Sequence, residues 1–531
     1  MRLLKITVAL LGCAVGVCAA ASITGVTNAA SNLPPGMPNS GVAQGAIFAV
    51  YGAGLGPSTL QQAQSFPLPT TQGLAGTTVT VTVGGVTKTC PMLYTLATQV
   101  AGVLPSATPV GTGTLTVTYQ GASASIAIQV LAAGFGTIAL NSSGTGPAVV
   151  TDAFFKPITM VNPAYPGQTL ILWGSGLGAV TGDETQPPQE VDLGTGVQVF
   201  VGNQPAAVLY GGRSGYPGLD QINFTVPAGI SPGCTTSIAV LEKGVVGNVT
   251  TMAVAPAGQS TCGESGGFLT AANLQKAVAT GTLNIANVYF YHFSGSTESD
   301  TLAADFFSYP LDSLIRSYGG SLGPSIGSCN AYEALGSDVP VDPIQPPRLD
   351  AGQSLVLTGP AGTKTVAASS TGKYEGVLGA SSSFIVPGAY TVSNGNGGAN
   401  VGGFNGNLTL PPPISFTNLP ATINRAQDLT VRWSDSSAFS VVSIFGISGV
   451  PLSLSRTSYL GFTCTAAASA GQFTIPSVIL RMIPPNGYGA VGVPGMSMQI
   501  GGAISGNFTA PGIDTGVFTA FGFSGSVVKV Q

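Results

Sequence analysis

Charge is what this chain most lacks. Lys, Arg, Asp and Glu together make up 7% of its 531 residues, against about 25% in ordinary soluble proteins. Its net charge is −4 and no basic run occurs, so it carries no electrostatic footprint for nucleic acid or an anionic membrane. A single histidine and no C-x-x-C leave a zinc site almost no ligands. Mean hydropathy is +0.41. Even so, after residue 21 no apolar stretch reaches the roughly 20 residues of a spanning helix. Leu-rich helical periodicity is scarce as well, which excludes a mainly helical fold.

Turn formers and short strand-like runs are abundant. The chain holds 76 Gly and 38 Pro, and they separate five- to seven-residue runs with β-branched or aromatic residues at alternate positions. The expected class is all-β, and the length suits three or four domains of about 150 residues each. At the N-terminus, "MRLLK", the apolar "ITVALLGCAVGVC" and the small-residue "CAAAS" predict a signal peptide over residues 1–21. "LLGC" also resembles a lipobox, which offers lipid anchoring at Cys13 as an alternative.

Export implies an oxidising compartment for the five remaining cysteines. A hairpin turning at Gly244–Gly247 brings Cys234, just before its first strand, near Cys262 after its second, and predicts a disulfide there. Cys329 with Cys464 is the next pairing, leaving Cys90 buried and unpaired.

The chain repeats itself. "AIFAVYGAGLG" after Gly45 aligns with "QTLILWGSGLG" after Gly167, "VTVTVGG" with "VQVFVGN", Tyr94 with Tyr210, Gln99 with Gln221 and Pro105 with Pro227. The glycines follow a strand and lead into loop, not helix, so they read as a structural corner instead of a dinucleotide cradle. Y/W-G-x-G-L-G, then V-x-V-x-V-G-G/N, then L-Y, resembles the IPT/TIG version of the immunoglobulin-like sandwich. The chain resembles a family of uncharacterised exported bacterial proteins with such tandem repeats, over residues 24–262. The resemblance implies spacer, adhesion or binding roles and no established activity.

The expected architecture is a tandem of two such sandwiches, residues 22–135 and 136–262, followed by two further β-rich domains, 263–410 and 411–531. The last boundary is set at the cluster Pro411–Pro413, with a fibronectin-like module around Trp433 beyond it. One short helix near 270–280 is predicted by the cap Thr270 and the stop Gly281.

Candidate chemistry is thin. "GESGG" (263–267) satisfies G-x-S-x-G. However, no acid lies between Ser265 and His292, and the histidine follows the serine, so no catalytic residue and no cofactor is assigned. His292 reads as a core or strand-surface histidine. Asp183, Glu184, Glu190 and Asp192 share one loop and are candidate Ca²⁺ ligands, without the regular spacing of a calcium loop. Arg213, Tyr216 and Asp220 lie in "GGRSGYPGLD", where the first repeat has only "TLAT", and form a candidate binding loop. The expected function is that of a secreted or surface protein, non-enzymatic, binding an extracellular protein or glycan. The alternative is an extracellular carbohydrate-active hydrolase.

Overall fold

A computed structural model describes residues 21–188, 190–264, 269–293, 299–317, 323–334, 346–379, 384–434, 437–453, 456–485, 487–488 and 494–531. The expected signal peptide, apart from Ala21, lies outside the described residues, as do Cys13 and Ser265. Among the described residues no helix is long and apolar enough to cross a membrane.

The first repeat comprises β1 (Ser22–Asn28), β2 (Val42–Ala43), β3 (Ile47–Ala53), β4 (Gln61–Gln62), β5 (Thr77–Val83), β6 (Val86–Thr89), β7 (Met92–Thr95), β8 (Gln99–Val103), β9 (Gly111–Tyr119) and β10 (Ala122–Leu131). They form two sheets, β1-β3-β8-β7-β4 and β2-β10-β9-β5-β6. The orders correspond to A-B-E-D and A′-G-F-C-C′, with β2 parallel to β10, which is the immunoglobulin-like arrangement. Strict alternation in "TTVTVTV" buries Thr77, Val79, Val81 and Val83 on one face of β5, the pattern of a half-buried strand.

The second repeat holds β11 (Gly136–Thr137), β12 (Val150–Thr151), β13 (Thr169–Ser175), β14 (Gln198–Val201), β15 (Gln204–Arg213), β16 (Asp220–Thr225), β17 (Gly233–Glu242) and β18 (Val245–Val254). Its order is β11-β13-β16-β15-β14-β17-β18, with β12 also on β13. Register confirms the duplication: Tyr51 pairs with Gln99 as Trp173 pairs with Gln221. A bulge precedes Tyr94 in one copy and Tyr210 in the other. Where Cys90-Pro91 breaks the first copy into β6 and β7, β15 runs through and bridges both sheets of the second, because proline cannot donate to a ladder.

The remainder begins with α1 (Ala271–Thr280), where Thr270 accepts the Asn273 N–H and Gly281 ends the helix at φ 80°. Then follow β19 (Thr282–Phe293), β20 (Ser299–Pro310), α2 (Leu311–Ser317), β21 (Cys329–Ala334), β22 (Ser354–Gly359), β23 (Gly362–Ala367), β24 (Tyr374–Gly379), β25 (Gly388–Ser393) and β26 (Asn405–Leu410). The chain closes with β27 (Thr422–Ile423), β28 (Leu429–Arg432), β29 (Val441–Ser453), β30 (Arg456–Ala467), β31 (Gln472–Ile475), α3 (Ser477–Leu480), β32 (Met496–Phe508) and β33 (Thr515–Val530).

Sheet and core run across the boundary expected at 410/411. One sheet runs β21-β30-β29-β32-β33-β19-β20-β24, and its seam is β33 lying parallel to β19, from Ile285 opposite Thr515 onward. The facing sheet β23-β22-β25-β26 shares a core with both sides of that boundary, Leu355 and Tyr390 packing with Phe290 and Phe518. The second repeat also joins this body. Ala239, Val246 and Val249 share a core with Trp433, Phe462 and Ile479, so β17 and β18 are buried along almost their whole length.

Candidate functional site

The glycine motif builds the joint between the repeats. Gly54 and Gly176 take φ 68° and 118°, which glycine tolerates without a Cβ clash. A Cβ on Gly52 or Gly174 would collide with the Ser22 or Gly136 carbonyl of the neighbouring strand. Leu55 and Leu177, between the last glycines, are buried. In the second copy the corner turns its free amides inward, and Asp220 Oδ2 accepts the Gly176 and Leu177 N–H groups at 2.7 and 2.8 Å.

Asp220 also pairs with Arg213, and both side chains are at most 1% exposed. The Arg213 Nη2 donates to Gly178 O at 2.8 Å and to Gly45 O in the first repeat at 3.0 Å. Burial pushes the Asp220 carboxyl up, while the guanidinium and the two amides pull it back. Of the candidate binding loop, Arg213 and Asp220 thus form an internal clamp. Tyr216 flanks the same seam, its ring edge-on to Phe66 at 5.8 Å.

The acidic loop belongs to this joint too. Glu184 accepts the Ser106 N–H at 2.8 Å and its hydroxyl at 2.6 Å, and Leu68 N donates to Thr185 O at 2.8 Å. Asp183 folds onto Thr185, whose hydroxyl and amide hold its carboxyl below the usual range. Asp192 accepts the Gly194 N–H, and Glu190 faces solvent. Among the described residues no group of three or more His, Cys, Asp or Glu converges. Of the four candidate Ca²⁺ ligands, Asp183, Glu184 and Asp192 each have a separate partner and Glu190 is exposed.

Two disulfides staple the far end of the second repeat and the body behind it, Cys234–Cys262 and Cys329–Cys464. Cys90 is a buried thiol pushed well up by desolvation. The acid of "GESGG" is structural: Glu264 accepts the Cys234 N–H at 2.6 Å and the Ser325 hydroxyl at 2.7 Å.

His292 has a partner that sequence reasoning missed. β19 and β20 set it opposite Asp300, with Nδ1 to Oδ1 at 2.7 Å. The other Asp300 oxygen accepts the Phe384 and Ile385 N–H groups, both at 2.9 Å. The buried carboxylate thus orients an 18%-exposed imidazole. The signal was the antiparallel pairing of Thr282–Phe293 with Ser299–Pro310, which makes positions 292 and 300 opposite. An open cleft of about 710 Å³ lies elsewhere on this body, lined by Arg348, Asp350, Ser369, Thr371, Tyr374 and Asn400. Asp350 is held there by the Gly352 and Ala399 N–H groups.

The fold and joint define an all-β chain of immunoglobulin-like repeats fused to a larger β-sandwich. No family model matches the chain, and no curated protein does. Among solved structures it is similar to the plexin A4 extracellular region (12% identity, 43% of this chain, 18% of that one, TM-score 0.15). It is also similar to domains 5–6 of the S-layer protein SbsC (15% identity, 41% and 93%, TM-score 0.15). A third is SGBP-B from a complex xyloglucan utilization locus in Bacteroides uniformis (13% identity, 96% and 100%, TM-score 0.16). At such scores these likenesses carry no argument, and the assignment rests on the strand orders.

Proposed function

We propose that this chain is an exported, non-enzymatic binding protein with repeats of the IPT/TIG kind, in which a locked stem presents solvent-facing surfaces to an extracellular glycan or protein. The observation that carries the reading is the position of its polar residues: Arg213, Asp220 and Glu184 are committed to the joint. Two disulfides suit an oxidising compartment. The test is a screen of the full chain on glycans and surface proteins, with a reducing-end assay on the same polymers. Retention with the polymer unchanged is expected, and released fragments would overturn the reading. The oriented His292–Asp300 pair favours hydrolysis as the second reading. That reading requires His292→Asn to abolish a cleavage the unmodified chain performs.

A further inference from the structure

Phe154 and Phe155 sit side by side on the turn after β12 and are 89% and 64% exposed. Asp152 Oδ1 holds that turn by accepting the Phe154 and Lys156 N–H groups, both at 2.9 Å. The Phe155 ring lies 6.1 Å from that of Trp173 on β13, tilted by 38°. The Trp173 indole donates to Thr151 Oγ1 at 3.0 Å, which fixes the ring on the outer face of the sheet. Across that face Trp173 stands opposite Gln221, and Ile171 opposite Asn223, which in turn stands opposite Tyr210. All five are partly exposed, and Leu209 beside them is 62% exposed.

The first repeat shares only part of this surface. Tyr51 opposite Gln99 matches Trp173 opposite Gln221 and is likewise partly exposed, but Ala49 opposite Ala101 matches Ile171 opposite Asn223, and both alanines are buried. Gly218 of the second repeat packs against Ile47 and Val103. The joint thus covers the Ile47–Val103 end of the sheet in the first copy, whereas Thr169, the equivalent of Ile47 in the second, is exposed. Neither core nor joint uses Phe154.

We propose that this open face binds a neutral polysaccharide. Flat rings offer their faces to the C–H faces of sugar rings, and the Gln221 amide supplies both a donor and an acceptor for hydroxyls. The residues of the strip from Trp173 to Tyr210 are themselves uncharged, with Glu190 and Asp192 near its Tyr210 end, which suits an uncharged chain and disfavours an anionic one. A lipid surface would call for basic residues around the rings, and Lys156 is the one that this turn supplies. The inference rests on the chain being a binding protein and names its ligand class.

The test uses the full chain in affinity electrophoresis and pull-down with cellulose, xylan, β-1,3-glucan and galactomannan. Alginate and phosphatidylglycerol vesicles are the charged comparators. Retention on at least one neutral polymer is expected, with its oligosaccharide shifting tryptophan emission through Trp173, since Trp433 is buried. Trp173→Ala should lose at least tenfold in affinity. The double variant F154A/F155A, outside the core, should do the same with an unchanged melting profile. No retention on any neutral polymer, or binding to vesicles alone, overturns the inference. Wild-type affinity in F154A/F155A overturns it too while leaving the binding reading intact, whereas polymer cleavage strikes at that reading itself.

Discussion

Replacing Arg213 by alanine removes the guanidinium that faces Asp220 and donates to the Gly45 and Gly178 carbonyls. The carboxylate is then left buried with only two amides, and two carbonyls lose their donor. Breaking a buried pair from one side costs about 3–5 kcal/mol, whereas a solvated loop residue would change stability by no more than about 0.5 kcal/mol. For a unit of this size each kcal/mol moves the midpoint by roughly 2–4 °C. The transition containing the repeats should therefore fall by roughly 6–20 °C. R213M/D220N keeps an acceptor for the Gly176 and Leu177 amides and buries no charge, so its loss should be smaller than the sum of the single losses by about 2 kcal/mol. Calorimetry and urea unfolding of the full chain measure both, read transition by transition because several units are present. Exchange at the Gly176 and Leu177 amides reports the joint directly. A loss under about 1 kcal/mol in R213A, or strict additivity in the double variant, would refute the clamp.

Glu242 is fully buried, and its oxygens accept no hydrogen bond; Lys243 Nζ stands 3.8 Å away. Desolvation pushes its carboxyl from 4.5 to about 7. The native state therefore holds the proton more tightly than the unfolded chain, and this contribution is complete below 4.5 and lost as pH rises through 7. Glu242→Gln should gain on the native chain across that window, reaching about 3 kcal/mol by 1.36 kcal/mol per unit; a constant difference between pH 4 and 8 would be the contrary result. For the disulfides, paired Cys→Ala changes should cost about 3.6 kcal/mol at Cys234–Cys262, which closes 28 residues, and about 5 kcal/mol at Cys329–Cys464, which closes 135. Calorimetry giving the larger loss at the shorter loop would count against the chain-entropy account.

What the sequence determined by itself is local or duplicated. The strands of both repeats, the corner at Gly54 and Gly176, and the helix between Thr270 and Gly281 all follow from alternation, turn residues and caps acting within a few positions. The cysteines around the last hairpin of the second repeat are of the same kind, because a tight turn dictates what stands beside what. Only the tertiary structure decided which polar residues face inward. Arg213 reads as a loop cation until Gly45, 168 positions away, is seen accepting its hydrogen bond. Likewise Pro411–Pro413 marks a local break in pairing but carries no information about β33 returning to lie parallel to β19. Parallel pairing between distant segments has no turn to announce it, and its energy comes from burying two strand faces together. The open face around Trp173 is legible only in the structure, since pairing of β12 with β13 is what brings the turn bearing Phe155 beside it.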